Sequence, residues 1–211
     1  MKNKSEFLFS TVELILAAAI GVIPTLPGVS IAWLAVPGGG IVVSKFIHYR
    51  TSIKDGHKHI REQLEVLVAL LPEGNDGIRC TYHVPVGVFR KRLLQVCDYL
   101  PNGGGGGRKF PRSKGIIGAA FRDKKMLVEN FHNDSDYRDQ MKLKYNYTTQ
   151  EIGERAADRR SYLCSPILDE NHKVLGLVYF DSDTYGTFEL NGSPQITMIT
   201  TTCDVIRTHL L

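Results

Sequence analysis

An uncharged apolar stretch near the N-terminus constrains this chain more than any other feature. From Leu14 to Ser44 the sequence has no ionisable side chain, and a PTLPG turn interrupts the stretch at residues 24–28. A helix needs ~20 apolar residues to span a bilayer, and residues 6–23 and 29–47 each come close to that length. Two antiparallel helices would satisfy their own backbone hydrogen bonds in lipid. The sequence therefore predicts an α-helical transmembrane hairpin over residues 1–49.

The charges that flank this stretch predict its orientation. Lys2 and Lys4 precede it, and a basic run follows from Lys45 to Arg61. Positive residues gather on the cytoplasmic side of membrane helices, so we expect a multi-pass membrane protein with both hairpin ends and the following domain in the cytoplasm. Membrane lipids are then one partner. Two alternatives remain open: a signal peptide over Lys2–Val22, or an apolar hairpin that is buried in a soluble core or inserted at one membrane surface.

The rest of the chain has the length of one globular domain. We expect a short polar linker over residues 50–59 and the domain over residues 60–211. The net charge of +4 comes mainly from residues beside the apolar stretch and from Arg90–Lys114. Anionic headgroups explain this pattern as well as nucleic acid does, and no nucleic-acid partner is expected.

The cysteines and the acid–base residues give no sign of a catalytic or metal site. No CxxC pair and no Cys/His spacing typical of a zinc site occurs in the sequence. Free buried thiols are the expected state of cytoplasmic cysteines. No spacing indicates an acid–base pair or an activated nucleophile. The sequence therefore predicts no catalytic residue, no metal ligand and no enzymatic activity.

Hydrophobic periodicity predicts an α+β domain. Helical spacing of apolar residues predicts a first helix that ends near Leu71 and a last helix that ends near Leu210. Alternation and turn residues predict strands at Ile78–Val84, Arg92–Tyr99, Met126–Glu129, Arg160–Leu168 and Lys173–Asp181. A helix is predicted from Gly115, a turn at Asn133–Asp136, and a further helical segment at Thr149–Ala157. These elements indicate a sheet of five or six strands with helices on both sides.

Two of the strands have informative patterns. Ile78–Val84 alternates apolar with polar residues, which predicts a half-buried strand. Lys173–Asp181 is apolar on both faces, which predicts a central strand in a covered sheet. Simple alternation places Val174, Val178 and Phe180 on one face and Leu175, Leu177 and Tyr179 on the other.

The first and last helices share a seven-residue apolar pattern. We expect them to pack together and to supply the face of a homodimer. The alternative is a purely intramolecular helix pair against the sheet, because an apolar stripe identifies only a buried face.

The order of motifs from about Ile78 to Leu211 resembles a GAF domain. The resemblance rests on GIIGAAF (115–121), LVENFHNDSDY (127–137) and RRSYLCSPILDENHKVLGLVYFDSD (159–183). It implies a six-stranded antiparallel sheet with helices behind it and a small-molecule pocket between the sheet and the layer in front. The NKxnFxxxDE motif of cyclic-nucleotide-binding members and a bilin-attachment cysteine are absent from the sequence, so the ligand and any cofactor stay unknown. Some relatives are free methionine sulfoxide reductases with catalytic cysteines in loops, whereas Cys97 and Cys164 fall within predicted strands here.

The resemblance also implies which side chains line the pocket. Aromatic residues supply apolar walls with polar tips, and one arginine can pair with a phosphate or carboxylate. The candidate ligand-binding residues are Tyr99, Phe110, Phe121, Tyr137, Tyr147, Arg160 and Tyr179. A basic group at the mouth would concentrate an anionic ligand; it consists of Arg108, Lys109, Arg112 and Lys114. In the alternative, the aromatic residues fill a core, Arg160 makes a surface ion pair, and the basic loop contacts lipid headgroups.

Two functions fit this organisation. The first is a membrane-anchored sensory or regulatory module that binds a small molecule and passes its ligand state to a dimer interface or to the membrane helices. The alternative is a bacterial defence-type membrane effector, whose GAF-like domain senses a nucleotide-like signal and whose helices disrupt the membrane.

The flanking charges make a testable prediction about topology. Reporter proteins fused to the two termini should both report the cytoplasmic side, because both flanks of the hairpin are basic. Protease protection of the same fusions in inverted vesicles checks the result. Termini on opposite sides of the membrane would show that only one leg spans it.

Overall fold

The computed structural model describes residues 57–71, 77–87, 89–101, 103–152, 158–190 and 194–210. His59–Leu210 form one compact unit. The predicted hairpin over residues 1–49 lies outside the described residues. Within the described ranges, no helix combines the length and the apolar character needed to cross a membrane.

Six antiparallel strands and five helical segments make up the described domain. In chain order they are α1 (57–70), β1 (Ile78–Val86), β2 (Arg92–Gln95), β3 (Lys109–Pro111), α2 (Gly115–Asp123), β4 (Leu127–Asn130), α3 (Asp134–Leu143), α4 (Thr149–Ile152), β5 (Ser161–Leu168), β6 (Val174–Ser182) and α5 (Pro194–Leu210). The strand order is β3-β2-β1-β6-β5-β4, with β6 in the interior as predicted. The six-stranded antiparallel sheet and its flanking helices confirm the α+β, GAF-like fold.

One face of the sheet is covered by α1 and α5. Apolar side chains from both helices meet apolar side chains of the central strands in one core, which includes Ile60, Leu64, Leu67, Ile199, Cys203, Ile206, Cys80, Tyr82, Val178 and Phe180. The first and last helices of the domain therefore share one side of the sheet. The homodimer stays a prediction, and the exposed apolar residues of α1 and α5 are Val66, Leu70 and Val205.

The opposite face is covered by α2, α3 and the segment that follows α3. Small residues of α2 let this helix pack closely. Ala119 and Ala120 are buried against the sheet, and a Cβ at Gly118 would lie 2.8 Å from the carbonyl oxygen of Arg112, in the segment after β3. Asn133 begins α3 as its N-cap, and its side-chain oxygen accepts a hydrogen bond from the backbone N–H of Asp136 at 2.9 Å. The turn predicted at Asn133–Asp136 is therefore the first turn of a helix.

The prediction of which β6 side chains share a face was wrong at Val174 and Leu175, because β6 contains a β-bulge. Ile167 pairs with Gly176, whereas the next residue, Leu168, pairs with Val174, so Leu175 has no opposite partner. An extra residue shifts the alternation by one position. Val174 consequently packs on the Leu177 and Tyr179 side, and Leu175 packs on the Val178 and Phe180 side.

The prediction that β1 is half-buried was wrong. Thr81 and His83 are fully buried although their side chains are polar. The reason is the position of β1: it pairs with β2 on one side and β6 on the other, and both faces of the sheet are covered. A polar residue on this strand therefore needs a partner inside the protein.

Several boundaries also differ from the prediction. Residues 57–59, which were assigned to the linker, are helical. The strand β2 ends at Gln95, so Cys97 lies beyond it and not within it, and the short edge strand β3 had not been predicted. The chain turns after β2 because Tyr99 donates its backbone N–H to Gly104 and Leu100 forms a bridge with Cys80.

The close packing around Gly176 predicts that a larger residue at this position destabilises the domain. A Cβ at this position would lie 2.0 Å from the hydroxyl oxygen of Tyr82, which is fully buried. We expect Gly176→Ala to lower the free energy of unfolding by about 2–3 kcal/mol, because a packed core cannot make room. In the control Gly104→Ala, no atom lies within 4 Å of the added carbon, so little change is expected. Urea denaturation of both variants checks this, and equal losses would contradict it.

Candidate ligand-binding site

The face of the sheet under α2 and α3 carries an unusual set of polar and aromatic side chains. In the β1–β6 pairing, Arg79 lies opposite Asp181 and Thr81 opposite Tyr179. In the β5–β6 pairing, Tyr162 lies opposite Asp181. Alternation along β1 and β6 brings these residues to the same side. We call this set and the aromatic residues in contact with it the tyrosine face.

Aromatic rings connect the tyrosine face from Tyr99, in the segment after β2, to α3. The Tyr99 and Tyr179 ring centroids are 6.4 Å apart, and the Tyr162 and Tyr179 centroids are also 6.4 Å apart. Tyr137 of α3 stacks on Tyr162 at 5.9 Å, and Phe131 contacts both of these rings edge-on. The rings form a continuous wall whose hydroxyl groups can bind polar atoms.

Burial keeps these hydroxyl groups protonated. It raises the pKa of Tyr99, Tyr162 and Tyr179 above the ordinary range and raises the pKa of Tyr137 to about 12. A protonated phenol both donates and accepts a hydrogen bond. The tyrosine face therefore offers neutral hydrogen-bonding groups at physiological pH.

A buried ion-pair cluster lies at one end of this face. Arg79 donates two hydrogen bonds to Asp181, from Nε at 2.9 Å and from Nη2 at 3.0 Å. Arg159 approaches the same carboxylate at 3.4 Å. The guanidinium carbon of Arg79 also lies 4.4 Å from the centroid of the Tyr99 ring. Two arginines share one carboxylate, so the cluster carries an excess of positive charge.

Unpartnered polar atoms lie at the other end. Both ring nitrogens of His83 and the side-chain oxygen of Gln95 are buried. Among the described residues, none of these three atoms has a hydrogen-bond partner. His83 lies opposite Gln95 in the β1–β2 pairing and contacts Phe110 and Tyr179 edge-on. Burial lowers the pKa of His83 to about 3, so its imidazole is neutral at physiological pH. A neutral imidazole offers one donor and one acceptor.

The glycine-rich loop folds back beside these atoms. Gly107 donates its backbone N–H to the Gln95 carbonyl at 2.8 Å, and Gly106 donates to the Asp98 carboxylate at 2.8 Å. Gly105 has a φ of +115°, and a Cβ there would lie 2.8 Å from the side-chain nitrogen of Gln95. Glycine is needed at this position because residues with a side chain rarely adopt a positive φ, and because the loop approaches Gln95 closely.

The structure brings four of the seven predicted site residues together, whereas the other three have different neighbours. Tyr99, Tyr137 and Tyr179 belong to the tyrosine face, and Phe110 reaches it through His83. Phe121 packs beneath Arg112, and Tyr147 lies against Gly115. Arg160 pairs with Asp134 at 3.2 Å and is half-buried.

Four polar residues that the sequence analysis did not select belong to this face: Arg79, His83, Arg159 and Asp181. In the half-buried strand that the alternation predicts, polar residues such as Arg79 and His83 would face solvent. The available signal was the position of Asp181 at the end of a strand that is apolar on both faces, because a charge on such a strand requires a buried partner.

The four cysteines are free thiols. Cys80, Cys164 and Cys203 are buried, and burial raises the pKa of Cys203 to about 11 and the pKa of the other two further. Cys97 is half-buried, and its sulfur lies 3.7 Å from the Thr81 hydroxyl oxygen. Cys97 is thus the cysteine next to the tyrosine face.

Solved structures with a similar fold include GAF domains. The GAF domain of a two-component sensor histidine kinase from Bacillus halodurans is 14% identical, covers 71% of this chain and 92% of its own, and has a TM-score of 0.50. The GAF domain region of a putative membrane protein from Geobacter sulfurreducens PCA is 15% identical, covers 75% and 97% respectively, and also has a TM-score of 0.50. These similarities show the fold. No protein-family model matches the sequence, and no curated protein matches it.

The comparisons correct one expectation. The structures similar to this chain include free methionine-R-sulfoxide reductase from Neisseria meningitidis in complex with its substrate, at 14% identity, with 77% of this chain and 87% of that chain covered and a TM-score of 0.48. The prediction that the chain is not an enzyme was therefore wrong, because structures resembling it include enzymes as well as sensor domains.

The burial of His83 predicts how the stability of the domain depends on pH. Burial lowers the pKa of His83 in the folded chain to about 3, from an ordinary value of 6.5. Between these two pH values, His83 binds a proton in the unfolded chain but not in the folded chain. The contribution of His83 to stability is full above pH 6.5 and is lost as the pH falls toward 3, at about 1.4 kcal/mol per pH unit.

Chemical denaturation between pH 4 and 6 checks this prediction. We expect His83→Leu to have a smaller slope of stability against pH than the natural chain. Identical slopes for the His83 variant and the natural chain would contradict the prediction.

Proposed function

We propose that this chain is a membrane-anchored sensory or regulatory protein whose GAF-like domain binds a small anionic molecule on the tyrosine face. GAF-like neighbours fit a small-molecule-binding sensory or regulatory domain. The membrane anchor and the cytoplasmic position of the domain are proposed from the uncharged stretch between Leu14 and Ser44 and its basic flanks.

The observation that carries this proposal is a buried imidazole, that of His83, whose two nitrogens have no hydrogen-bond partner in the described part of the chain. His83 is fully buried and both of its ring nitrogens lack a partner among the described residues. A buried polar atom without a hydrogen bond costs about 1–3 kcal/mol, and ligand atoms are one way to remove this cost. His83 is connected through Tyr179 and Tyr99 to the Arg79 guanidinium, so both ends of one ligand would find polar groups.

The ligand is proposed to enter between the half-buried rings. Tyr99 and Tyr137 are each half-buried, whereas Tyr162 and Tyr179 are buried. Because neighbouring rings are in contact, binding requires the outer rings to move apart. The excess positive charge of Arg79 and Arg159 over Asp181 favours an anionic group such as a carboxylate or phosphate.

The central strands offer a route from ligand to output. Along β1, residues of the tyrosine face alternate with Cys80 and Tyr82, which pack in the core beneath α1 and α5. A shift of β1 on binding would therefore change the packing of α1, which follows the predicted membrane segment in the sequence. A population shift of this kind would pass the ligand state to the membrane helices or to a homodimer formed through α1 and α5.

The ligand can be found by mass spectrometry of small molecules released from the purified full-length chain. Each released molecule is then added back to the chain from which it was removed, and the binding constant is measured by calorimetry. We expect at least one anionic molecule to bind again. The absence of any released molecule that rebinds would contradict the proposed function.

Two arginine variants test the position of the ligand. Arg79→Lys keeps the charge but loses the two-point hydrogen bonding to Asp181. We expect it to weaken binding of the identified molecule by about 1.5–3 kcal/mol, whereas Arg160→Lys should change binding little, because Arg160 pairs with Asp134. Loss of binding in the Arg160 variant alone would place the anionic group at the position predicted from the sequence instead.

A further inference from the structure

The basic residues of this domain are concentrated in one part of the sequence. Between Ile78 and Arg122 there are nine lysines and arginines and a single acidic residue, Asp98, although the whole chain has a net charge of only +4. Some of these cations are used inside the fold: Arg79 pairs with Asp181 and Lys114 pairs with Glu151. Others remain at the surface, near the edge of the sheet.

A depression of about 440 Å³ lies among these surface cations. Its walls come from the end of β1, the turn that follows, the edge strand β3 and its neighbour β2. Its lining residues are Val86, Gly87, Phe89, Lys91, Arg92, Leu94 and Lys109. The lining has an apolar floor and three cations. No acidic side chain lines this depression.

Phe89 makes this surface unusual. Its side chain is 71% exposed, and Lys91 places its ammonium nitrogen 5.5 Å from the centroid of the ring. Exposure of a large aromatic ring to water costs free energy in proportion to the exposed apolar area. An aromatic ring next to lysine and arginine is the combination that binds at the boundary between lipid headgroups and acyl chains.

The charge of the three cations around the depression is the next feature of this surface. Among the described residues, no ion pair joins Lys91, Arg92 or Lys109 to a carboxylate. Their charge is therefore available to a negatively charged partner. Each lysine or arginine near an anionic bilayer contributes favourably to binding at physiological ionic strength.

We propose that Phe89, Lys91, Arg92 and Lys109 form a basic edge that docks onto an anionic phospholipid surface. Lipid phosphates pair with the three cations, and Phe89 enters the boundary between headgroups and acyl chains. Lipid is favoured over nucleic acid for two reasons. The apolar floor offers no series of rings for base stacking, and the uncharged stretch at residues 14–44 predicts that the domain lies beside a bilayer.

This contact is separate from the proposed small-molecule site, because the two share no residue. The basic edge would fix the orientation of the domain against the membrane in addition to any anchor. Failure of small-molecule binding would therefore leave the basic edge untouched, and failure of lipid docking would leave the small-molecule site untouched.

Tryptophan fluorescence of the full-length chain tests the proposal. The sequence has one tryptophan, Trp33, so the double variant Trp33→Phe/Phe89→Trp reports only on position 89. The chain is studied in vesicles of phosphatidylcholine alone and in vesicles that also contain phosphatidylglycerol, with brominated lipids as quenchers. We expect a blue shift and quenching in the anionic vesicles that high salt reverses.

A matched control is available on α3. Leu143 is 80% exposed and is flanked by Lys142 and Lys144, so its local composition is also apolar and basic. The variant Trp33→Phe/Leu143→Trp should show no quenching that depends on anionic lipid. Equal quenching at positions 89 and 143 would overturn the proposal, because the signal would then not depend on the basic edge.

Charge reversal supplies the second test. Adding Lys91→Glu, Arg92→Glu and Lys109→Glu to the position-89 reporter should reduce quenching in anionic vesicles to the level seen with phosphatidylcholine. Reversal of three exposed lysines elsewhere, Lys124, Lys125 and Lys142, should not. Unchanged quenching after reversal of the basic edge, or a response at position 89 to single-stranded RNA but not to anionic lipid, would overturn the proposal.

Discussion

The buried carboxylate of Asp181 determines how the central strands are held together. Its side chain is only 3% exposed, and removal of such a charge from water costs several kcal/mol unless it is paired. Arg79 of β1 and Arg159, which precedes β5, both supply this pairing. One carboxylate therefore links three neighbouring segments of the sheet, and the Arg79 guanidinium in turn covers the ring of Tyr99. The tyrosine face is built around this pairing.

The same strands carry two different environments on their two sides. Cys80, Tyr82 and Phe180 belong to an apolar core with α1 and α5, whereas Thr81, His83 and Tyr179 belong to the polar and aromatic side. Since adjacent residues of a strand point to opposite faces, a change on one side moves the backbone that supports the other. A domain of this construction is suited to a regulatory role, because its ligand face and its helix face share the same strands.

Much of the fold follows from the sequence, and the failures have physical causes. The hairpin of β5 and β6 was predicted to within a residue because Asp169–His172 is strong turn chemistry between two apolar runs. Thr81 and His83 were misplaced because burial of both faces of β1 depends on distant helices. Val174 was misplaced because a bulge changes the alternation without any local sequence signal. Likewise, local sequence does not distinguish Arg159 from Arg160, and only the register of the sheet places the first on Asp181 and the second on Asp134.

The central claim is that the buried His83 is a ligand-binding group, and ¹⁵N NMR of its imidazole tests this most directly. In the ligand-free chain both nitrogens lack partners, so the signals should be those of a neutral ring that does not titrate between pH 5 and 8. Addition of a small molecule that rebinds to the chain should shift at least one ring nitrogen through a new hydrogen bond. A bound molecule that leaves both His83 nitrogen signals unchanged would contradict the account.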